Sequence, residues 1–214
     1  MHAFQATKVL KTLLPKSARR AIRRIIETGV RFRNRNKIGW YDVADFPFIA
    51  DLEANWQEIQ REVLNLETSH YERWPMKIYN GEWDVFGLFG LDKKLEENCE
   101  LCPVTTRVLN KIPNLTAAGF SKLMPGTHIT PHVGYTDTRL RCHLGLIIPE
   151  DCGIRVGDET RTWVEGKCMV FDDTVEHEAW NFGKTPRVVL LLDFEAPGKS
   201  FDRRPPRWAD KVTH

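Results

Sequence analysis

Between Thr116 and Phe194 apolar residues recur at every second position in short runs, and glycine, proline and aspartate separate the runs. A period of two gives a pleated strand one buried face, and it cannot also supply the stripe of an amphipathic helix. The runs are Ala117 to Leu123, Thr127 to His132, Arg139 to Ile148, Gly153 to Val156, Thr160 to Trp163, Lys167 to Phe171, His177 to Trp180 and Arg187 to Phe194, about eight strands. Pro125-Gly126, Asp151 to Gly153, Gly157-Asp158 and Glu165-Gly166 supply turns between them. Many short strands with such punctuation predict a sandwich or a jelly roll.

The earlier part reads differently. From Asp51 to Glu67, residues Leu52, Trp56, Ile59, Val63 and Leu66 fall at helical intervals, which predicts an amphipathic helix covering one face of the sheet. Trp74 to Leu91, rich in aromatics and glycine, reads as short strands and turns. Cys102-Pro103 starts a short helix with Val104, Val108 and Ile112 inward, ending near Pro113. The expected fold is mainly β with flanking helices, a cupin-like jelly roll. With 214 residues one domain is expected, over 46–197, with a basic helical segment at 1–45 and an extension at 198–214. There is no GxGxxG, no P-loop and no internal repeat.

Charge is uneven. Of 31 basic and 29 acidic residues, eleven basic ones and only one acid, Glu27, fall within residues 1–37. Such a segment suits an anionic membrane surface or nucleic acid, but the preferred reading is a solvated helix packing its apolar stripe on the body. No nucleic-acid partner is expected, nor an obligate protein partner. Peripheral membrane contact through residues 8–37 stays as the alternative. No apolar run approaches the roughly 20 residues of a spanning helix, and Met1 to Leu14 is too polar for a signal peptide. A cytoplasmic location follows, with attachment at the inner face of the membrane as its variant. Five cysteines, an odd number, are expected as reduced thiols. Cys99 and Cys102 have the spacing of half a zinc site but lack a second pair, and are read as ordinary thiols.

The chemistry lies in the β region. His132 ends one strand and His177 opens another, and strand ends converge at the mouth of a jelly roll; neutral imidazole is the commonest ligand for first-row metals. Arg187 starts the apolar strand Val188 to Leu192, where a cation without an anion is costly. A dicarboxylic ligand would answer it through a paired fork. Arg139, Arg141 and His143 share one strand face and suggest a second anionic group nearby.

These residues also carry a resemblance. Pro125 to Gly134 (PGTHITPHVG), Arg139 to Pro149 (RLRCHLGLIIP), Trp163 to Lys167 (WVEGK) and Phe171 to Trp180 (FDDTVEHEAW), with Arg187, closely resemble the aspartyl/asparaginyl β-hydroxylase family, from about Phe46 to Pro197. The resemblance implies a double-stranded β-helix and a 2-oxoglutarate-, Fe(II)- and O2-dependent reaction that yields succinate, CO2 and a hydroxylated carbon. It implies His132 and His177 as iron ligands and Arg187 as the partner of the distal carboxylate of 2-oxoglutarate. Ser121, Arg141 and His143 match further cosubstrate contacts. Gly134 stands where most such enzymes carry a third, carboxylate ligand, so two protein ligands are expected. Asp173 is read as an outer acid orienting a ligand or a bound water, and Asp137 as a minor third-ligand candidate. An open third position leaves halogenation as a minor alternative.

The expected function is therefore a dioxygenase that hydroxylates an unactivated carbon of an aspartyl/asparaginyl or similar acidic substrate. Arg139 and Lys77 are candidates to receive a substrate carboxylate. The alternatives are a lipid A-type acyl-chain hydroxylase and, in a different class, a non-catalytic cupin-like protein that binds a metal or small acid. The substrate expected is accordingly a small molecule, a peptide or a lipid.

Overall fold

The computed structural model describes residues 39–90, 93–134 and 138–195, together with residues 25, 28 and 29. The expectations for residues 8–37, Asp137 and the extension 198–214 thus fall wholly or largely outside the described residues. Among the described residues thirteen strands form two sheets. They are β1 (Trp40–Tyr41), β2 (Glu72–Arg73), β3 (Tyr79–Asn80), β4 (Trp83–Gly90), β5 (Lys93–Lys94), β6 (Leu115–Leu123), β7 (Thr127–His132), β8 (Arg139–Ile147), β9 (Cys152–Val156), β10 (Glu159–Arg161), β11 (Cys168–Phe171), β12 (His177–Asn181) and β13 (Arg187–Glu195). The larger sheet runs β1-β11-β8-β13-β6-β4-β2, with β5 on β4; the smaller runs β10-β9-β12-β7-β3. All named strand pairs are antiparallel. Successive strands cross between the sheets, β6 to β7, β7 to β8 and β12 to β13, the topology of a jelly roll.

Alternation decides which side chains meet. On β13, Val188, Leu190, Leu192 and Phe194 join a core between the large sheet and the helices, while Val189 and Leu191 join a second core between the sheets. By the same period Arg187 and Asp193 belong to the inter-sheet side. On β8, Leu140, Cys142, Leu144 and Leu146 face the helices, which turns Arg139, Arg141 and His143 toward the small sheet. On β8 and β13 one face thus packs against the helices, while the inter-sheet face carries Arg139, Arg141, His143, Arg187 and Asp193 beside apolar residues of the second core.

The helices α1 (Ile49–Ala54), α2 (Trp56–Asn65), α3 (Glu96–Leu101) and α4 (Pro103–Leu109) lie on the outer side of the large sheet. One continuous helix was expected from Asp51 to Glu67; it is broken at Asn55, whose Nδ2 donates to the Asp51 carbonyl at 2.7 Å. A side-chain amide competing for a backbone acceptor is the usual reason that asparagine interrupts a helix. Glu62 of α2 accepts from the Val104 and Thr105 N–H groups at 2.6 and 2.9 Å and so caps α4. The predicted turns are present, with Gly126, Gly157 and Gly166 at positive φ (77°, 60° and 75°), where any Cβ would be strained. Strand β4 is the element the sequence left unresolved: its apolar residues Phe86 and Leu88 alternate, but glycines at 81, 87 and 90 read as turns. Among the described residues no helix is long and apolar enough to cross a membrane.

Candidate active site

Strands β7 and β12 place the two histidines. Their register runs Asn181 to Thr127, Trp180 to His128 and Ala179 to Ile129, then slips, so that His177 faces His132. Two steps on β12 match three on β7. Simple alternation from Thr127 and Ile129 would turn Pro131 inward and His132 outward; the extra residue reverses this, leaving Pro131 exposed. Proline, having no N–H for the ladder, suits the extra position of a bulge. Thr130 fixes the bulge by donating through both its N–H and its Oγ1 to the Ile78 carbonyl, each at 2.8 Å.

The imidazoles of His132 and His177 lie with ring centroids 4.1 Å apart. Each Nδ1 is bonded to a carbonyl two residues earlier, Thr130 at 2.8 Å and Val175 at 3.0 Å. A carbonyl can only accept, so both Nδ1 atoms carry a proton, and each ring in its neutral form has its lone pair on Nε2, the ligand-competent tautomer. Burial, with His132 and Arg141 nearby, pushes the His177 pKa well below its ordinary value. Burial and the cations Arg187 and Arg141 do the same to His143. Both rings are depressed, so the stability they contribute is fully present above their ordinary value of 6.5 and is lost as the pH falls from 6.5 toward the lower folded-state values. Thermal unfolding of the metal-free protein should therefore show a marked drop between about pH 7 and pH 5. His143→Gln should flatten that slope, and an unchanged slope in the variant would argue against a buried neutral ring.

Gly134 donates its N–H to the Asp173 carbonyl at 2.7 Å, and a Cβ at Gly134 would overlap the Asp173 carboxylate. The space beside His132 that a carboxylate at position 134 would use is thus already held by an acid from another strand end. Arg141 anchors that acid: it forks onto Asp193 through Nε and Nη2 at 2.7 and 2.8 Å and reaches Asp173 at 3.3 Å. Burial pushes the Asp173 pKa up, to about 6, against the pull of Arg141. Burial also works against the charge on Arg141, but Asp193 and Asp173 outweigh it and raise its pKa. Gly134→Asp should therefore lower stability by about 1–3 kcal/mol, the usual cost of overpacking, without adding metal affinity. The double change with Asp173→Gly should recover most of the loss in thermal unfolding.

Arg187 is 1% exposed, and its Nε has no hydrogen-bond partner. Its Nη1 donates only weakly, to the Ser121 carbonyl at 3.4 Å, and its guanidinium lies 4.5 Å from the centroid of the Trp163 ring. Burial pulls its pKa down to about 9, and among the described residues no carboxylate forms a salt bridge with it. His143 has a buried Nε2 without a partner, its Nδ1 accepting from Trp163 Nε1 at 3.3 Å. Ser121 is buried and its Oγ accepts from Trp83 Nε1 at 3.0 Å.

The expected residues fall into three groups. His132 and His177 are brought together. Arg187 and His143 meet the same Trp163 indole, each with a buried nitrogen that the fold leaves unanswered, and the Ser121 carbonyl accepts from Arg187. Arg141 lies between them but is engaged by the chain's own acids, so the anionic group expected near that strand face is supplied here by Asp193 and Asp173. Asp193 was missed because it reads as the polar end of an apolar strand. Trp163 and Trp83 were missed as site residues because buried indoles usually signal core; a tryptophan at a strand end opposite a histidine was the available signal. Among the described residues no group of three or more His, Cys, Asp or Glu side chains converges on a cation site. Cys99 and Cys102 are buried free thiols, with Cys99 Sγ bonded to the Leu88 carbonyl at 3.3 Å.

The jelly roll thus brings two Nδ1-protonated imidazoles together and buries an arginine to which, among the described residues, no carboxylate forms a salt bridge. The chain belongs to the aspartyl/asparaginyl β-hydroxylase family, whose model matches residues 53–197. It is 40% identical over 172 residues to the ornithine lipid ester-linked acyl 2-hydroxylase of Rhizobium tropici, a match covering 75% of this chain and 61% of that protein. It is 37% identical over 159 residues to the aspartyl/asparaginyl β-hydroxylase of Homo sapiens, over 70% of this chain and 21% of that protein. The chain thus spans about three fifths of the first relative and about a fifth of the second. Among solved structures, an oxidoreductase of the 2OG-Fe(II) oxygenase family from Burkholderia pseudomallei aligns at 12% identity with a TM-score of 0.48, covering 73% of this chain and 94% of that one.

Proposed function

We propose that the chain is a 2-oxoglutarate- and Fe(II)-dependent dioxygenase that hydroxylates an unactivated carbon, with an aspartyl/asparaginyl or similar acidic substrate preferred. One observation carries the reading: Arg187 is buried with an unpartnered Nε, beside the equally unpartnered Nε2 of His143. A fold keeps an unpaired buried cation when a ligand supplies the anion. A diacid fits that demand, and two neutral imidazoles with Nε2 lone pairs fit a divalent first-row metal.

In this reading His132 and His177 hold Fe(II), Arg187 and Ser121 receive the far carboxylate of 2-oxoglutarate, and His143 with Arg141 serves the near one. For Arg141 this requires sharing or exchange of the Asp193 and Asp173 contacts seen here. Iron and cosubstrate together supply oxygen activation and return succinate, CO2 and the hydroxyl group. The residues of the chain would bind, orient and desolvate: the buried rings of Trp163 and Phe171 lie against His143, Trp83 donates to Ser121, and the Asp173 carboxylate fills the space beside Gly134.

A lipid reading stands second, and one observation favours it: the relative named as an ornithine lipid acyl 2-hydroxylase shares 40% of its aligned residues with this chain. Peripheral contact of residues 8–37 with the inner face of a membrane would fit it. A cytoplasmic location is proposed with either reading, supported by five free thiols. The experiment is incubation with Fe(II), 2-oxoglutarate, ascorbate and O2, with succinate measured alongside a 16-dalton gain on candidate peptides and lipids. Succinate in step with a hydroxylated peptide supports the first reading, and a gain confined to acyl chains selects the second. Ligand uptake without succinate would identify a binding protein instead.

A further inference from the structure

The indole of Trp163 touches at once both side chains whose buried nitrogens are unanswered, Arg187 and His143. It is 2% exposed and follows β10 directly. One face lies against the Arg187 guanidinium at 4.5 Å, an arrangement in which the ring quadrupole attracts the cation. Its Nε1–H donates to His143 Nδ1 at 3.3 Å, the two rings inclined by only 26°. An indole N–H can only donate, so the Nδ1 that receives it is the unprotonated nitrogen of the imidazole. The proton of a neutral His143 then sits on Nε2, the very atom that is buried without a partner.

We propose that Trp163 is a positioning residue for the acid that binds here: its N–H fixes His143 as an Nε2–H donor, and its face holds the Arg187 guanidinium in place. This rests on the cosubstrate reading given above. Without the indole N–H, His143 gains access to the other tautomer, which would turn a lone pair toward an anionic ligand. The role is distinct from packing, because a ring of the same size without the N–H would keep the core and lose the tautomer.

The test uses the full chain labelled with 15N-histidine, in which nitrogen–proton correlations read the protonated nitrogen of His143, assigned by comparison with His143→Gln. Affinity for 2-oxoglutarate is read by calorimetry on protein loaded with Mn(II), so that no turnover intervenes. Two changes are compared: site-specific replacement of the Trp163 indole by benzothiophene, which exchanges N–H for sulfur at nearly the same volume, and Trp163→Phe. Wild type should show Nε2–H. The benzothiophene protein should shift toward Nδ1–H, with its dissociation constant for 2-oxoglutarate raised about tenfold, the order of one hydrogen bond to a charged group. Trp163→Phe should bind more weakly still, having lost part of the face under Arg187. An Nδ1–H signal in wild type, an unmoved tautomer in the benzothiophene protein, or unchanged affinity despite a moved one each overturns the proposal. If the tautomer moves as expected but wild type itself takes up no 2-oxoglutarate, the cosubstrate reading fails, and the positioning role with it.

Discussion

Alanine at position 132 or 177 is expected to remove measurable Fe(II) binding and turnover together, while leaving the β fold intact. Loss of an outer hydrogen-bond partner of a metal ligand commonly weakens affinity about 10–100-fold. Loss of one ligand from a set of two should exceed that range. The tautomers set this outcome: the Thr130 and Val175 carbonyls accept from the Nδ1–H groups, so each neutral ring offers one Nε2 lone pair, and two remote segments must bring those lone pairs to one ion. Equilibrium dialysis with Fe(II) under argon checks binding, and far-ultraviolet circular dichroism checks the fold. Either variant retaining wild-type metal affinity would remove the histidine assignment.

Arg187→Met is expected to separate stability from ligand binding. In the metal-free protein the guanidinium is desolvated without an acid, so exchanging it for an apolar chain of similar length should raise stability, by about 1–4 kcal/mol by analogy with buried-ion replacements. The pH sign is definite. A basic group whose folded pKa is about 9 penalises the fold fully below pH 9, and the penalty fades as the pH rises from 9 toward its much higher ordinary value. The gain from Arg187→Met should therefore be constant across neutral pH. Affinity for 2-oxoglutarate should fall by about a hundredfold or more, in the range found when one member of a buried charge pair is truncated. Thermal unfolding and calorimetry read the two effects separately. A variant that is less stable and binds 2-oxoglutarate normally would mean that Arg187 serves the core.

How much of this was legible follows from what kind of interaction sets each feature. The period-two runs predicted β6 to β13 closely, because burial of one face of a strand is written in the residues themselves. Asn55 and β4 were not: one helix break depends on a single side-chain hydrogen bond, and the glycines flanking and interrupting β4 look like turns until β6 pairs with it. In the site, Arg187 stood out because a cation heads an apolar strand. The inward aim of His132 could not be read, since strict alternation predicts the opposite and only the bulge at Pro131 corrects it. Arg141 shows the complementary limit. Its place on the strand face was evident, but Asp193 is 52 residues further along the chain, and its fork onto Arg141 exists only once β8 and β13 are neighbours. Gly134 was seen to lack a carboxylate, whereas the acid filling its space comes from the turn before β12.

The His132–His177 pair and the Arg187 guanidinium are expected to act together on one iron and one diacid. Anaerobic titration of the full chain with Fe(II) and 2-oxoglutarate, followed by visible absorption, tests it most directly, because a charge-transfer band requires the keto acid to chelate the metal. A band is expected only when both are present, absent in His177→Ala and restored in Arg187→Met only at a much higher 2-oxoglutarate concentration. A wild-type protein that binds both Fe(II) and 2-oxoglutarate without developing the band would contradict the shared site.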